Sequence, residues 1–165
     1  DVPFGKADAG YDYEGPIEDM PRNISPIIIA GLPGQYINDV TFSNFEVSYP
    51  GGGNKFLAYV GLDQLDSITE NPDGYPEFSM FGELPSWGLY LRHVDGIKLS
   101  NVKMSFKQDD FRPAIVADDV KNITIQQIII PTAKELPVIY FNNSKNLNLK
   151  NIEMPFSNDK GIIIH

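Results

Sequence analysis

The chain has 165 residues, of which 42% are hydrophobic and 21% are charged, as expected for a single globular domain. Its formal net charge of −9 argues against a nucleic-acid partner, because binding to phosphates depends on lysine and arginine. The absence of cysteine excludes a disulfide framework, a thiolate zinc site and a cysteine nucleophile. No apolar run approaches the ~20 residues of a membrane-spanning helix, so we expect no membrane span.

Residues 1–24 have little periodicity but many turn signals, such as Glu14-Gly15-Pro16. Their aromatic residues, Phe4, Tyr11 and Tyr13, are typical of a strap that packs on a larger body. A repeat domain cut at one end exposes inward side chains, each worth about 1.5–3 kcal/mol when buried. We therefore predict a strap or cap over residues 1–24. No targeting segment opens the chain, so any secretion signal is expected upstream or already removed.

Residues 25–49 match a later segment of the chain in the spacing of their apolar positions. Val40 aligns with Ile97, and Phe42 aligns with Leu99 by the same step along the chain. The match predicts that residues 25–49 form the first coil of a repeat, with a bulge inserted at Gly31-Leu32-Pro33-Gly34.

The step from Val40 to Ile97 is much longer than the repeat itself, which predicts a long loop over residues 50–85. Long loops inside compact folds are usually functional. Four aromatic residues cluster at its end: Tyr75, Phe78, Phe81 and Trp87. Either they stack on sugar rings, or they pin the loop to the wall of the repeat domain.

The remaining residues, 86–165, contain one phrase three times. Gly88 to Ser105 reads GLYLRHVDGIKLSNVKMS, Ala114 to Pro131 reads AIVADDVKNITIQQIIIP, and Val138 to Pro155 reads VIYFNNSKNLNLKNIEMP. A nearly constant period of this length is the mark of a repeat architecture. The equivalent positions at the start of each repeat are Leu89, Ile115, Ile139 and Ile163.

Within each phrase the apolar residues alternate with polar ones, the pattern of a strand with one buried face. Three short strands per repeat and no helical pattern predict an all-β fold, a parallel β-helix of about four coils. A leucine-rich repeat would need a helical half that is missing here. A β-sandwich would not keep one apolar register through successive repeats.

Two sets of columns follow from stacking the repeats about 4.8 Å apart. Asn44, Asn101, Gln127 and Asn151 share a turn column and predict an amide ladder. The outward face of the first strand carries two further columns, which are Tyr90, Val116, Tyr140 and Ile164, then Arg92, Asp118 and Asn142. The bend that follows carries His93, Asp119 and Asn143. The stacking predicts that Arg92 pairs with Asp118 and His93 with Asp119, more often a structural link than a catalytic dyad.

Several phrases, above all PEFSMFGELPSWGLYLRH and FRPAIVADDV, resemble the C-terminal part of bacterial family 28 glycoside hydrolases, the polygalacturonase-like enzymes. The resemblance covers nearly the whole chain. It implies a right-handed, single-stranded parallel β-helix, a pectin-type polysaccharide or galacturonide substrate, inverting hydrolysis, and a secreted, periplasmic or cell-surface location. It implies no cofactor.

The family's catalytic motifs, Asn-x-Asp, Asp-Asp, Gly-His-Gly and Arg-x-Lys, lie N-terminal to the matched part. The doubled aspartates here, Asp109-Asp110 and Asp118-Asp119, fall in a return loop and a bend, and His93 is not flanked by glycine. No catalytic residue therefore transfers, and we expect no hydrolysis by the isolated chain.

Three hypotheses for function remain open. The chain is the C-terminal portion of a pectin-type hydrolase associated with a missing N-terminal catalytic part, a stand-alone carbohydrate-binding module, or an assembly module that forms a homodimer through an open end. The candidate substrate-binding residues are Trp87, Tyr90, Arg92, His93, Arg112 and Asp118. A polyuronate ligand would also need a basic patch, for which Lys98, Lys103 and Lys107 with Arg92 are the candidates.

Overall fold

The computed structural model describes residues 23–57, 59–73 and 78–165. Most of the predicted strap, residues 1–22, lies outside the described residues, as do Tyr75 and the side chain of Phe78. No described helix is long and apolar enough to cross a membrane.

The chain is an all-β protein with one seven-stranded sheet, and its strand pairs are parallel. The strands and helices follow in the order β1 (Ile27–Ala30), β2 (Ile37–Gly51), a 3₁₀ helix (Leu65–Ser67), α1 (Phe78–Phe81), β3 (Leu89–Gln108), β4 (Ile115–Ile129), β5 (Ile139–Asn142), β6 (Lys145–Glu153), α2 (Asn158–Gly161) and β7 (Ile162–Ile164). The strands of successive repeats run in the same direction and in register, so they pair in parallel and not as antiparallel hairpins.

The sheet has two rows of paired segments. In the first row, β1, the start of β3, the start of β4, β5 and β7 lie side by side in that order. In the second row, β2, the remainder of β3, the remainder of β4 and β6 pair in sequence. Ile97 lies between Val40 and Ile123, as the repeat predicts.

The predicted register is confirmed except at its C-terminal step. Ile139 pairs with Ile162 and not with Ile163, so Tyr140 faces Ile163 and Phe141 faces Ile164. This last step is shorter than the preceding one because the helical turn α2 closes the connection one residue sooner. The predicted placement of Ile164 beside Tyr140 is therefore wrong.

Residues with positive φ mark the corners between strand segments. Asn44, Asn101, Gln127 and Asn151 have φ of 55°, 50°, 64° and 50°, in the left-handed region that asparagine tolerates better than most residues. Asn101 Nδ2 donates to Asn44 Oδ1 at 2.8 Å, which confirms the predicted ladder between the first two repeats. A second corner carries the same kind of link, from Asn146 Nδ2 to Asn122 Oδ1 at 2.9 Å.

Two apolar clusters hold the structure together. The interior cluster collects one face of both rows, for example Leu91, Ile97, Ile125 and Phe141. Gly88 lets adjacent repeats approach closely there, because a Cβ at this position would lie 2.6 Å from the Ala114 carbonyl oxygen. The second cluster lies on the other face of the first row, beneath the long loop.

Candidate functional site

The outward face of the first row is buried by the long loop. Tyr90, Val116 and Tyr140 form its surface, and the loop residues packed on them are Leu65, Ile68, Phe81 and Leu84. We call this surface the covered face. The corresponding surface of the second row, which carries Lys98 and Lys103, is the open face.

The covered face changes the interpretation of the predicted aromatic site. Trp87 is 1% exposed and makes edge contacts with Tyr49 and Phe106 in the interior cluster, at ring-centroid distances of 5.5 Å and 5.2 Å. Tyr90 is 0% exposed. Neither ring offers a face to a sugar, so their prediction as stacking residues is wrong for this structure. Phe81 pins the loop, as the second interpretation of the aromatic cluster predicts.

Arg92 anchors the middle of the loop to the sheet. Its Nη1 donates to the carbonyl oxygens of Leu65 at 3.3 Å and Ile68 at 2.6 Å. Its Nε lies 2.9 Å from Glu70 Oε1 and 3.3 Å from Asp118 Oδ2. The predicted pairing with Asp118 is confirmed, and the loop adds the second carboxylate, from Glu70.

His93 lies between two carboxylates at the edge of the covered face. Its Nδ1 is 2.7 Å from Asp119 Oδ2, as predicted, and its Nε2 is 3.2 Å from Glu70 Oε1. Tyr36 donates its hydroxyl hydrogen to the same Asp119 oxygen. Although burial raises the pKa of Asp119, the hydrogen bonds from Tyr36 and His93 outweigh it and lower that pKa.

Arg112 and Asp110 form a buried clamp at the base of the loop. Arg112 Nε and Nη2 donate to the two carboxylate oxygens of Asp110 at 3.0 Å and 2.9 Å. Asp110 also accepts from the Gly53 backbone N–H at 3.1 Å, and Arg112 Nη1 reaches the Leu84 carbonyl oxygen at 3.4 Å. The clamp therefore joins the start and the end of the loop.

The four basic or acidic residues among the predicted substrate-binding residues therefore anchor the loop. Arg92, His93 and Asp118 lie in one network with Glu70, while Arg112 lies in a separate clamp. Each is largely buried or paired with a carboxylate or a basic group, so none lines an open groove. The predicted basic patch does not form, because Lys98 and Lys103 lie on the open face while Arg92 lies under the loop.

An open cleft lies between the loop and the last repeat. Its volume is about 410 Å³, within the ~300–1,000 Å³ of typical ligand pockets. The lining combines carboxylates, amides, an imidazole and an aromatic ring, and its residues are Leu62, Asp63, Leu65, Asp66, Tyr140, Asn142, Asn143 and His165. This cleft is the candidate functional site.

Asn142 connects the cleft to the Arg92 network. Its Nδ2 donates to Asp118 Oδ1 at 2.7 Å, while the other Asp118 oxygen faces Arg92 Nε at 3.3 Å. The donation fixes the orientation of the Asn142 amide, so that its carbonyl oxygen points away from Asp118. Loop anchoring and the geometry of the cleft therefore depend on the same carboxylate.

Among the described residues, no group of three or more histidines, cysteines, aspartates and glutamates is arranged to hold a metal ion. The groups that line the cleft suit an organic ligand, which they can contact through hydrogen bonds and charge.

No family model, curated protein or solved structure matches this chain. The resemblance to family 28 glycoside hydrolases stays a prediction that depends on the quoted phrases.

Sequence reasoning missed most of the cleft. The repeat predicts that Tyr140 and Asn142 point outward and that Asn143 lies at the bend that follows, so the sequence contained a signal for these three residues. Asp63 and Asp66 lie in a loop without periodicity, and no pattern of spacing relates them to the distant residues on β5. His165 reaches the cleft because β7 adds one more strand beside β5.

Proposed function

We propose that this chain is a carbohydrate-binding β-helix module, related to the C-terminal part of polygalacturonase-like hydrolases and without hydrolytic activity of its own. The observation that carries the proposal is the open cleft between the loop and the last repeat, with amides, carboxylates and Tyr140 in its lining. Carboxylates and amides bind the hydroxyl groups of a sugar by paired hydrogen bonds.

The β-helix is supported by three observations. The repeats pair in parallel and in register over nearly their full length. Residues with left-handed φ recur at equivalent corners. One face of both rows contributes to a single interior cluster. A right-handed path is the usual choice for parallel strands joined by crossovers.

The absence of catalysis is supported by the sequence, since it contains neither Gly-His-Gly nor Arg-x-Lys, and its Asn-x-Asp, Asn71-Pro72-Asp73, lies in the long loop. The doubled aspartates offer no substitute. Asp110 is held by Arg112, and Asp118 by Arg92 and Asn142. A carboxylate held in this way is poorly placed to exchange a proton with a substrate.

The proposal is tested by titration calorimetry with a panel of oligosaccharides, both neutral and charged. The cleft variant is Asn143→Gly, which removes an exposed amide but keeps a residue able to adopt φ near 47°. The matched control is Asn151→Gly, at another corner of the same repeat with φ of 50° but outside the cleft lining. Binding that weakens in the first variant alone supports the cleft. If no oligosaccharide binds, or both variants behave alike, the proposal fails.

Assembly is the second candidate function, favoured by the strand β7. Ile163 and Ile164 are 42% and 59% exposed, and within the described sheet β7 pairs with β5 alone. An exposed apolar edge strand is a template for pairing with another chain. Light scattering that gives a stable dimer, reduced to a monomer by Ile164→Asp, would favour this function over the first.

A further inference from the structure

Negative charge dominates the cleft. Asp63 and Asp66 are exposed carboxylates in its lining, and against these two groups the described lining holds one basic side chain, the imidazole of His165, and no lysine or arginine. A third carboxylate, that of Asp118, accepts a hydrogen bond from Asn142 of the lining. Arg92, which also faces Asp118, is already shared with the carboxylate of Glu70. Its single positive charge therefore leaves the field of the cleft negative.

The pKa of Tyr140, a residue of the cleft lining, is affected by the same negative charge. Burial raises the pKa of its phenol, and the carboxylates of Asp118 and Asp63 raise it further. The two carboxylates reach Tyr140 from different elements, since Asp118 belongs to β4 and Asp63 to the loop. A ligand in the cleft beside Tyr140 therefore has negative charge on two sides.

Acceptor groups are also in excess. The carboxylates of Asp63 and Asp66 only accept hydrogen bonds, and the orientation of Asn142 leaves its carbonyl oxygen as the atom directed away from Asp118. A ligand that is rich in donors satisfies these groups. A uronate would add a further carboxylate to the cleft and lose affinity through repulsion.

We propose that the cleft binds a sugar unit that carries a protonated amine, a hexosamine, and not a uronate. This inference rests on the proposed carbohydrate-binding function and assigns the class of sugar. The amine lies against the carboxylates of Asp63 and Asp66, and the hydroxyl groups lie against Asn142 and Asn143. It departs from the pectin-type ligand that the family resemblance implies, because the charge of the cleft opposes that ligand.

The test is calorimetry at pH 6 with three tetrasaccharides, of glucosamine, N-acetylglucosamine and galacturonic acid. We expect the glucosamine tetramer to bind most tightly. Asp63→Asn and Asp66→Asn keep the size of each side chain and remove its charge, and each should weaken glucosamine binding by about 5-fold, the effect of an exposed charge pair. Binding of the N-acetylated tetramer should not change. Asp73→Asn, an exposed loop residue outside the cleft lining, is the matched control.

The outcomes separate this inference from the function on which it rests. Equal binding of the three tetramers, or tighter binding of the galacturonide, overturns the hexosamine and leaves carbohydrate binding intact. Binding of none overturns both. A trilysine peptide that binds as tightly as the glucosamine tetramer overturns the sugar and leaves only a cation site. Charge-independent loss in the two variants, seen with the N-acetylated tetramer as well, also contradicts the inference.

Discussion

The strand β3 carries the covered face and the open face within one run of alternating residues. Tyr90 and Arg92, near its start, are buried under the loop, while Lys98 and Lys103, further along, meet solvent. All four point away from the interior cluster. Alternation in the sequence therefore identifies which side chains point away from the interior. Contacts with a distant segment decide whether those side chains are exposed to solvent.

The two faces also use charge differently. On the open face, Lys103 and Glu46 pair at 2.6 Å with side chains 44% and 63% exposed. On the covered face, Arg92 and Glu70 pair at 2.9 Å with both side chains 10% exposed. An exposed pair contributes about 0–1 kcal/mol. A buried pair adds little net stability when intact, but the loss of one partner leaves a desolvated charge.

The largest effect is expected from Arg92→Ala. The substitution leaves Glu70 and Asp118 without their shared cation and removes two hydrogen bonds to loop carbonyls. We expect the free energy of unfolding to fall by about 3–5 kcal/mol, measured by urea denaturation. Lys103→Ala on the open face is the control and should cost no more than about 1 kcal/mol. Equal losses in the two variants would show that the faces do not differ as described.

Arg92→Lys sharpens the same comparison. The lysine keeps the positive charge near Asp118 and Glu70 but cannot span the carbonyl oxygens of Leu65 and Ile68 with one planar group. Its free energy of unfolding should lie between those of the wild type and the alanine variant. A value equal to that of the wild type would assign the anchoring to charge alone.

The next effect concerns the apolar contacts of the loop. Leu65 is 3% exposed and packs in the apolar cluster of the covered face. Leu65→Ala should therefore lower the free energy of unfolding by roughly 2–4 kcal/mol. Because the loss is local, the loop should open more often than the sheet unfolds. Trypsin cleavage after Lys55 should therefore accelerate more than denaturation of the sheet does. Leu57→Ala, in a less buried part of the loop, is the matched control. Unchanged cleavage would contradict the role of Leu65 in holding the loop.

The sequence predicted the sheet far better than it predicted the site. The recurrence of Ile97, Ile123 and Leu147 determines both register and facing, because a slip of one residue would reverse every side chain. The register failed only at Ile162, where the helical turn α2 changes the length of the connection.

The cleft and the Arg92 network beside it could not be predicted from the sequence, because both depend on the loop. Arg92 was correctly paired with Asp118 from stacking alone, but Glu70 reaches Arg92 through a segment with no repeat pattern. The cluster in which loop residues cover Tyr90 likewise joins a periodic segment to an aperiodic one. Sequence periodicity carries no information about such contacts.

A smaller effect is expected at a corner of the second row, on the open side of the molecule. Asn101 adopts a φ of 50° and donates to Asn44. Asn101→Ala loses the hydrogen bond and leaves in the left-handed region a residue without the amide that makes this conformation accessible to asparagine, at a cost of about 1–2 kcal/mol. Asn101→Gly loses only the hydrogen bond and should cost less. Thermal denaturation of both variants separates the two terms, and an alanine variant no worse than the glycine variant would exclude backbone strain as the cause.

The smallest effect concerns pH at the edge of the covered face. Tyr36 and His93 hold the pKa of Asp119 below its ordinary value although burial opposes them, so the unfolded chain takes up a proton at this residue before the folded chain does. The stability that Asp119 contributes is therefore present above its unfolded pKa of about 3.9 and is lost as the pH falls through the lower folded value. The Asp119→Asn variant should be less stable than the wild type at pH 6, and the difference should shrink toward pH 3 in urea denaturation. Asp39→Asn, on an exposed corner of β2, is the control. A difference that stays constant between pH 6 and pH 3 would mean that Asp119 acts through packing and not through its charge.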